Sequence, residues 1–194
     1  MTVSPILVTG ATGFIGGRLS RQLVEAGLPV RAMARRADAS VAPGAELVVG
    51  DLGDRASLDR ACEGVSAVIS CAAITGEKKP PAGGYDVINA DGITALAQAA
   101  TAAGAGRIIH FGGIDNGGSN PGPYLAGRRR GEEGLKAAGV PWTILQPSVQ
   151  FGPKSPFIEA MAGLVKGPIA PVAGNGRTKI QMIHVDDVCR AAQE

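Results

Sequence analysis

Val8–Gly17 reads VTGATGFIGG, and this stretch decides the fold. It continues a short apolar run, Pro5–Gly10, and carries glycine at every third place: Gly10, Gly13 and Gly16. A helix should start here, yet each glycine in a helix costs about 1 kcal/mol relative to alanine. Three separate needs explain the choice. Gly10 permits a sharp turn out of the strand. Gly13 lets a pyrophosphate approach the helix start, where a Cβ would collide with it. Gly16 lets the helix lie close on the sheet. The free N–H groups of the first turn and the positive end of the helix dipole then hold the phosphates. The expected contacts are Gly10, Thr12, Gly13, Phe14 and Ile15. The spacing is G-x-x-G-x-x-G and not the commoner G-x-G-x-x-G, and its weight comes from the strand–turn–helix context.

The rest of the chain continues that alternation. Apolar runs at Pro29–Ala34, Glu46–Gly50, Ser66–Ala73, Arg107–Gly113 and Trp142–Pro147 mostly lack a period of two, as expected of strands covered on both faces. Between them lie helical patterns. Ile15, Leu19, Leu23 and Ala26 share one face, with Gly27 as a stop. Asp54 can cap a helix that buries Leu58, Ala61 and Cys62 and ends before Gly64. Further helices are expected over Ile88–Ala103, before Gly104, and over Tyr124–Ala138, before Gly139. The fold class is α/β, a doubly wound parallel sheet (Rossmann fold), in one domain spanning 1–194. The cofactor core takes residues 1–148. A small cap starts at about Val149, with a short strand near KIQMIHV (179–185) and a last helix. Two loops are expected, Thr75–Gly84 and Gly112–Pro123, the second rich in Gly, Pro, Asn and Ser and so expected to be mobile.

Composition narrows the function classes. Of 194 residues, 45% are hydrophobic and 19% charged, and the formal net charge is +2, which argues against a general nucleic-acid grip. Arg129 and Arg130, followed by Glu132 and Glu133, read as a solvated helix face with i, i+4 pairs. Cys62, Cys71 and Cys189 are scattered thiols, as in a reducing compartment, and form neither a disulfide framework nor a zinc site. No apolar run approaches the ~18–20 residues of a membrane span, and no secretory leader is visible, so the expected location is cytoplasmic. A homodimer is among the assemblies open to it.

At the end of the second strand an acidic residue would bind the ribose 2′-OH of NAD. Here stand Arg35 and Arg36, with Asp38 too late in the chain. Guanidinium groups suit a 2′-phosphate, so NADP(H) is expected over NAD(H); the alternative is that both arginines are merely solvated.

Together VTGATGFIGG, VVGDL (Val48–Leu52), HVDDV (His184–Val188) and Tyr124 with a basic residue four places on resemble the short-chain dehydrogenase/reductase superfamily. Within it they look like the extended and atypical NAD(P)H-binding branch that includes nitrogen-metabolite-repression-regulator-like domains. The resemblance runs from Pro5 to about Val188. It implies that Asp51 and Leu52 contact the adenine, that Cys71, Ala72 and Ala73 line the cofactor, and that Pro147 sits near the nicotinamide. Asn89 matches a recurring asparagine, read as a tie between backbone segments.

The resemblance also implies a Ser–Tyr–Lys catalytic set, with the lysine charge lowering the tyrosine pKa so that the phenol exchanges a proton with the substrate oxygen. Two departures stand out. Arg128 occupies the lysine place, and arginine is planar and bulkier. The fifth strand ends HFGG (His110–Gly113), so Gly112 and Gly113 offer no hydroxyl, and losing one such donor typically costs ~10²–10³ in rate. Ser119, in the following loop, is a candidate substitute. Tyr124 and Arg128 are thus the catalytic candidates and also cofactor contacts. In the alternative reading Tyr124 only packs against the cofactor ribose. His110 reads as a core histidine, His184 as structural, Asp186 and Asp187 as a helix N-terminus, and no metal is expected.

Little chain follows the cofactor core, so a small or flat substrate is expected: a quinone, flavin, ketone or aromatic carbonyl. A chain cut short at its C-terminal end would look the same. The reading that results is an NADPH-dependent oxidoreductase with Tyr124 as proton donor. The alternatives are a non-catalytic NADP(H)-binding redox sensor or interaction subunit and, more distantly, an isomerase or dehydratase that borrows the cofactor.

Overall fold

In the computed structural model, residues 3–75, 84–115, 117–167, 172, 175–177 and 179–194 are described. The Thr75–Gly84 loop expected from the sequence therefore lies outside them at residues 76–83. Ile6–Thr9 (β1) passes through the glycine turn into Phe14–Glu25 (α1). Val30–Ala34 (β2) and Glu46–Val49 (β3) follow, then Arg55–Cys62 (α2) and Ala67–Ser70 (β4). Gly84–Asp86 (α3), a π-helical stretch Val87–Gly92 and Ile93–Ala102 (α4) form one helical run, which leads to Ile108–Phe111 (β5), Gly122–Ala137 (α5) and Trp142–Leu145 (β6). The six strands form one parallel sheet in the order β3-β2-β1-β4-β5-β6, the doubly wound arrangement expected from the alternation.

Successive residues of a strand point to opposite faces, so each face has its own apolar layer. Leu7 lies with Leu58, Leu96, Ile108 and Leu135 beneath α2, α4 and α5. Val8 lies with Leu19, Leu23, Ile69 and Phe111 beneath α1. Burying a side chain such as Leu19 or Leu23 contributes ~1.5–3 kcal/mol. The Asp54 carboxylate accepts from the Ala56 N–H at 3.1 Å and starts α2 as the sequence suggests. Ala26, assigned to the buried face of α1, is instead exposed beyond the helix end, because the last turn closes at Glu25. The helical run expected from Ile88 starts earlier, at Gly84, and passes through π-helix over Val87–Gly92.

Helix α5 sets the working end of the molecule. A Cβ on Gly131 would fall 2.0 Å from the Asn89 carbonyl oxygen, and one on Gly134 would fall 2.0 Å from Thr94 Oγ1. The helix therefore meets the preceding helical run almost backbone to backbone. Against the i, i+4 expectation, Arg129 and Arg130 form their ion pairs off the helix, and Glu133 adds only a Coulombic attraction to Arg129. Arg129 Nη2 donates to Asp115 Oδ1 at 2.6 Å and Arg129 Nε to the other oxygen, while Arg130 pairs with Asp86. Both partners lie on neighbouring segments that α5 packs against, which is why local spacing missed them. Arg129 holds the Asp115 carboxyl down at about 2, the Gly117 N–H assisting, and so anchors the loop ahead of α5. Glu132, also read as solvated, is buried and accepts from Gln146 Nε2 at 3.1 Å.

Beyond β6, Gln150–Phe151 (β7) pairs in parallel with Ile183–His184 (β8), and Pro156–Leu164 (α6) starts at Ser155, whose Oγ accepts from the Ile158 N–H. The strand expected over KIQMIHV is confined to Ile183–His184. Val185–Ala191 (α7) returns to the sheet: Val185, Val188 and Cys189 join the layer of Leu19 and Leu23. Asp186 Oδ1 accepts from Arg18 Nη1 at 2.9 Å and Gln22 Nε2 at 3.0 Å, tying α7 to α1. His184 Nδ1 caps α7 by accepting from the Asp186 N–H at 3.3 Å, the structural place read for it. Among the described residues, no helix is long and apolar enough to cross a membrane.

Candidate functional site

The strand order reverses between β1 and β4, and in open parallel sheets that crevice receives the ligand. Gly10 sits there with φ +66°, where a Cβ would stand 2.8 Å from the Ala72 nitrogen. A Cβ on Gly16 would fall 2.3 Å from the Gly10 carbonyl oxygen, so glycine there lets α1 lie close on the turn that ends β1. Gly13 heads α1 without a side-chain cap, and no acidic residue stands in the first turn. A Cβ on Gly13 would meet only the Gly10 carbonyl oxygen, at 3.1 Å; beyond it is the open groove. An uncapped helix start facing open space suits an anionic diphosphate.

The groove there has a volume of about 660 Å³. It brings together nine of the expected residues: Gly10, Thr12, Gly13, Arg35, Asp51, Leu52, Cys71, Ala72 and Ala73. Met33, Gly50, Ile74, Val87 and Ile88 also line it and were not anticipated. Their only sequence signal is position, at strand ends and on the helical run after β4. Phe14 and Ile15 are half-buried in the first turn of α1. Asp51 Oδ1 is engaged by the Gly53 N–H at 2.8 Å. Burial pushes the Cys71 thiol far up, so it stays protonated and acts as apolar lining. A second depression, also about 660 Å³, adjoins the first and shares Thr12, Ala34 and Arg35 with it, adding Arg36, Ala39 and Ser40. Arg36 Nε pairs with Asp38 at 3.2 Å on a highly exposed surface.

Tyr124, Arg128 and Pro147 do not line that groove. Tyr124 and Arg128 stand on α5 beside the carboxyl end of β5, and Pro147 follows β6. The Tyr124 ring packs edge-on to Tyr85, centroids 5.6 Å apart, and the Arg128 guanidinium lies 5.7 Å from its centroid. Arg128 is 6% exposed and its Nη2 donates to the Phe111 carbonyl at 2.6 Å. A Cβ on Gly113 would stand 3.9 Å from the Tyr124 hydroxyl and 3.7 Å from Arg128 Nε. The place of the missing serine thus faces both side chains. Ser119 is exposed in the loop. His110 is buried with Nδ1 3.1 Å from Ser70 Oγ, and burial, aided by the Arg128 charge, lowers its pKa to about 3. It is a neutral core histidine. Among the described residues no cluster of three His, Cys, Asp or Glu side chains could hold a metal.

Comparison with known proteins bears on the family and the fold. Residues 10–154 match the family model described as NAD(P)H-binding. The chain is 33% identical over 190 residues to a ceramide reductase of Caulobacter vibrioides, covering 94% of this chain and 57% of that protein. It is 30% identical over 192 residues to an NAD(P)H azoreductase of Xenophilus azovorans, covering 96% of this chain and 61% of that one. The chain therefore spans less than two thirds of the length of these curated relatives. The crystal structure of gox2253 superposes with a TM-score of 0.80 at 28% identity, over 96% of this chain and 64% of the other.

Proposed function

The chain belongs to the NAD(P)H-binding family, and from that membership we propose that it is a reductase acting on a small carbonyl, quinone or flavin-like substrate. The α1 start and the groove lining would hold the dinucleotide, with Asp51 and Leu52 toward the adenine and Pro147 toward the nicotinamide. Arg35 and Arg36, beside Thr12 and Ser40, favour NADP(H) over NAD(H), because their guanidinium groups match a 2′-phosphate. When bound, the reduced cofactor supplies a hydride. Tyr124 gives the proton to the substrate oxygen, and the Arg128 charge beside its ring favours the phenolate left behind. The unit of β7, α6 and β8 forms the cap over the substrate. Two relatives named as reductases support the reaction class.

The observation that carries this reading is the convergence of Tyr124 Oη and Arg128 Nε on the space at Gly113. NADPH consumption measured with a set of quinones, aromatic aldehydes and ketones tests it: substrate-dependent oxidation is expected, and its absence throughout defeats the reading. A second reading, an NADP(H)-binding sensor or interaction subunit without turnover, is favoured by the two glycines where a hydroxyl is the rule. It expects saturable NADPH binding and no oxidation with any compound.

A further inference from the structure

We propose that the buried Nε–H of Arg128 takes over the role of the absent serine and donates to the substrate's carbonyl oxygen beside Gly113, an inference that rests on the reductase reading above. The two glycines that end HFGG are not equivalent. At Gly112 a Cβ would fall 2.6 Å from Glu132 Oε1 and 3.2 Å from Gln146 Cγ and Ile144 Cγ2, so a side chain there would have to displace its neighbours. At Gly113 the backbone is outside the left-handed region, and a Cβ would make only ordinary contacts, the nearest at 3.7 and 3.9 Å. Neither conformation nor packing calls for glycine at Gly113. What glycine leaves is a bare main-chain position that Arg128 Nε and Tyr124 Oη both face.

The state of Arg128 indicates what binds beside it. Its Nη2–H is spent on the Phe111 carbonyl, which fixes the plane of the guanidinium. Its Nε is buried and has no hydrogen-bond partner among the described residues. Such an orphan is rare and costly in a folded protein, and a ligand oxygen would relieve it. A lysine could not do this from the same place, because its donors lie only at the tip of a flexible chain. The exchange of lysine for arginine and the loss of serine are then one coupled change.

In the reaction the carbonyl carbon takes the hydride and the π pair of the C=O bond moves onto oxygen. The Oη proton of Tyr124 passes to that oxygen, and the Nε–H of Arg128 stays on nitrogen, holding the oxygen as its charge develops. The carbonyl is reduced by two electrons at the expense of NADPH, and water reprotonates Tyr124.

The test is a four-protein cycle on the full chain: parent, Arg128→Lys, Gly113→Ser and the double variant, assayed for NADPH consumption with benzoquinone and aromatic aldehydes. The NADPH dissociation constant of each is measured by calorimetry. Arg128→Lys should lower kcat about 100-fold with KM and NADPH affinity little changed, as for removal of one oxyanion donor. Adding Gly113→Ser to that variant, which restores the Ser–Tyr–Lys set, should recover about tenfold or more. In the parent, Gly113→Ser should slow turnover by crowding the substrate oxygen. If Arg128→Lys turns over like the parent, or serine restores nothing to it, the inference is overturned while the reductase reading stands. If the parent oxidises no NADPH, the reductase reading falls, and melting without substrate decides the donor. A serine that raises Tm beside Arg128 but not beside Met in an Arg128→Met protein still supports a buried donor seeking an oxygen. An equal Tm change in both backgrounds overturns it.

Discussion

Asn89 holds Ile74 by both polar groups of its backbone: the Ile74 N–H donates to Asn89 Oδ1 at 2.9 Å, and Asn89 Nδ2 donates to the Ile74 carbonyl at 2.8 Å. Both residues are buried, and Ile74 lines the groove just past β4. Asn89→Ala would leave two buried backbone groups unpaired, so chemical denaturation should show a loss of ~1–3 kcal/mol for the unmet groups. Calorimetry should show weaker NADPH binding in the same variant, because the segment carrying Cys71, Ala72 and Ala73 loses its anchor.

Arg35 borders both depressions, whereas Arg36 is partly engaged by exposed Asp38. Arg35→Ala should therefore weaken NADPH by about 10-fold or more, the scale of a lost charge-assisted hydrogen bond, and leave NADH nearly unchanged. Arg36→Ala should matter less. Paired titrations of the two cofactors check this, and equal losses for both would count against a 2′-phosphate contact.

Tyr124→Phe keeps the ring between Tyr85 and Arg128 and removes only the hydroxyl. Its kcat should fall by ~10²–10⁴, the usual contribution of a positioned acid, with Tm and NADPH affinity preserved. Parent-like turnover would take Tyr124 out of the mechanism.

His110 gives the stability a pH signature. Its folded pKa is lowered from 6.5 to about 3, chiefly by burial. Between those values the unfolded chain binds a proton that the folded chain does not, so stability is fully present above pH 6.5 and is lost as the pH falls toward 3. His110→Gln should flatten that part of the Tm-against-pH curve. A curve as steep as the parent's would mean that other groups set the acid limb.

The sheet was legible because its causes are local. Apolar runs such as Ser66–Ala73, the glycines after β1 and the cap at Asp54 each act within a few residues, and parallel order follows from the alternation. Gly10, Asp51 and Ala72 at the groove were legible for the same reason, whereas Met33, Gly50 and Ile74 were not. The surroundings of α5 were not. Gly131 and Gly134 look like helix-weakening positions until Asn89 and Thr94 are brought beside them. Arg129 and Arg130 look paired along their own helix until Asp115 and Asp86 arrive from other segments. The burial of Arg128, and the lack of a partner for its Nε among the described residues, depend on where β5 ends, a distance that sequence spacing along α5 does not encode.

Where two helices touch through bare main chain, no repacking of side chains can retune their standoff. Contact at Gly131 thus acts like a machined shim, holding the perch of Tyr124 and Arg128 at one height over the sheet. Anyone diversifying this scaffold toward new chemistry should find latitude at Gly113 and along α6, and almost none at positions 131 and 134.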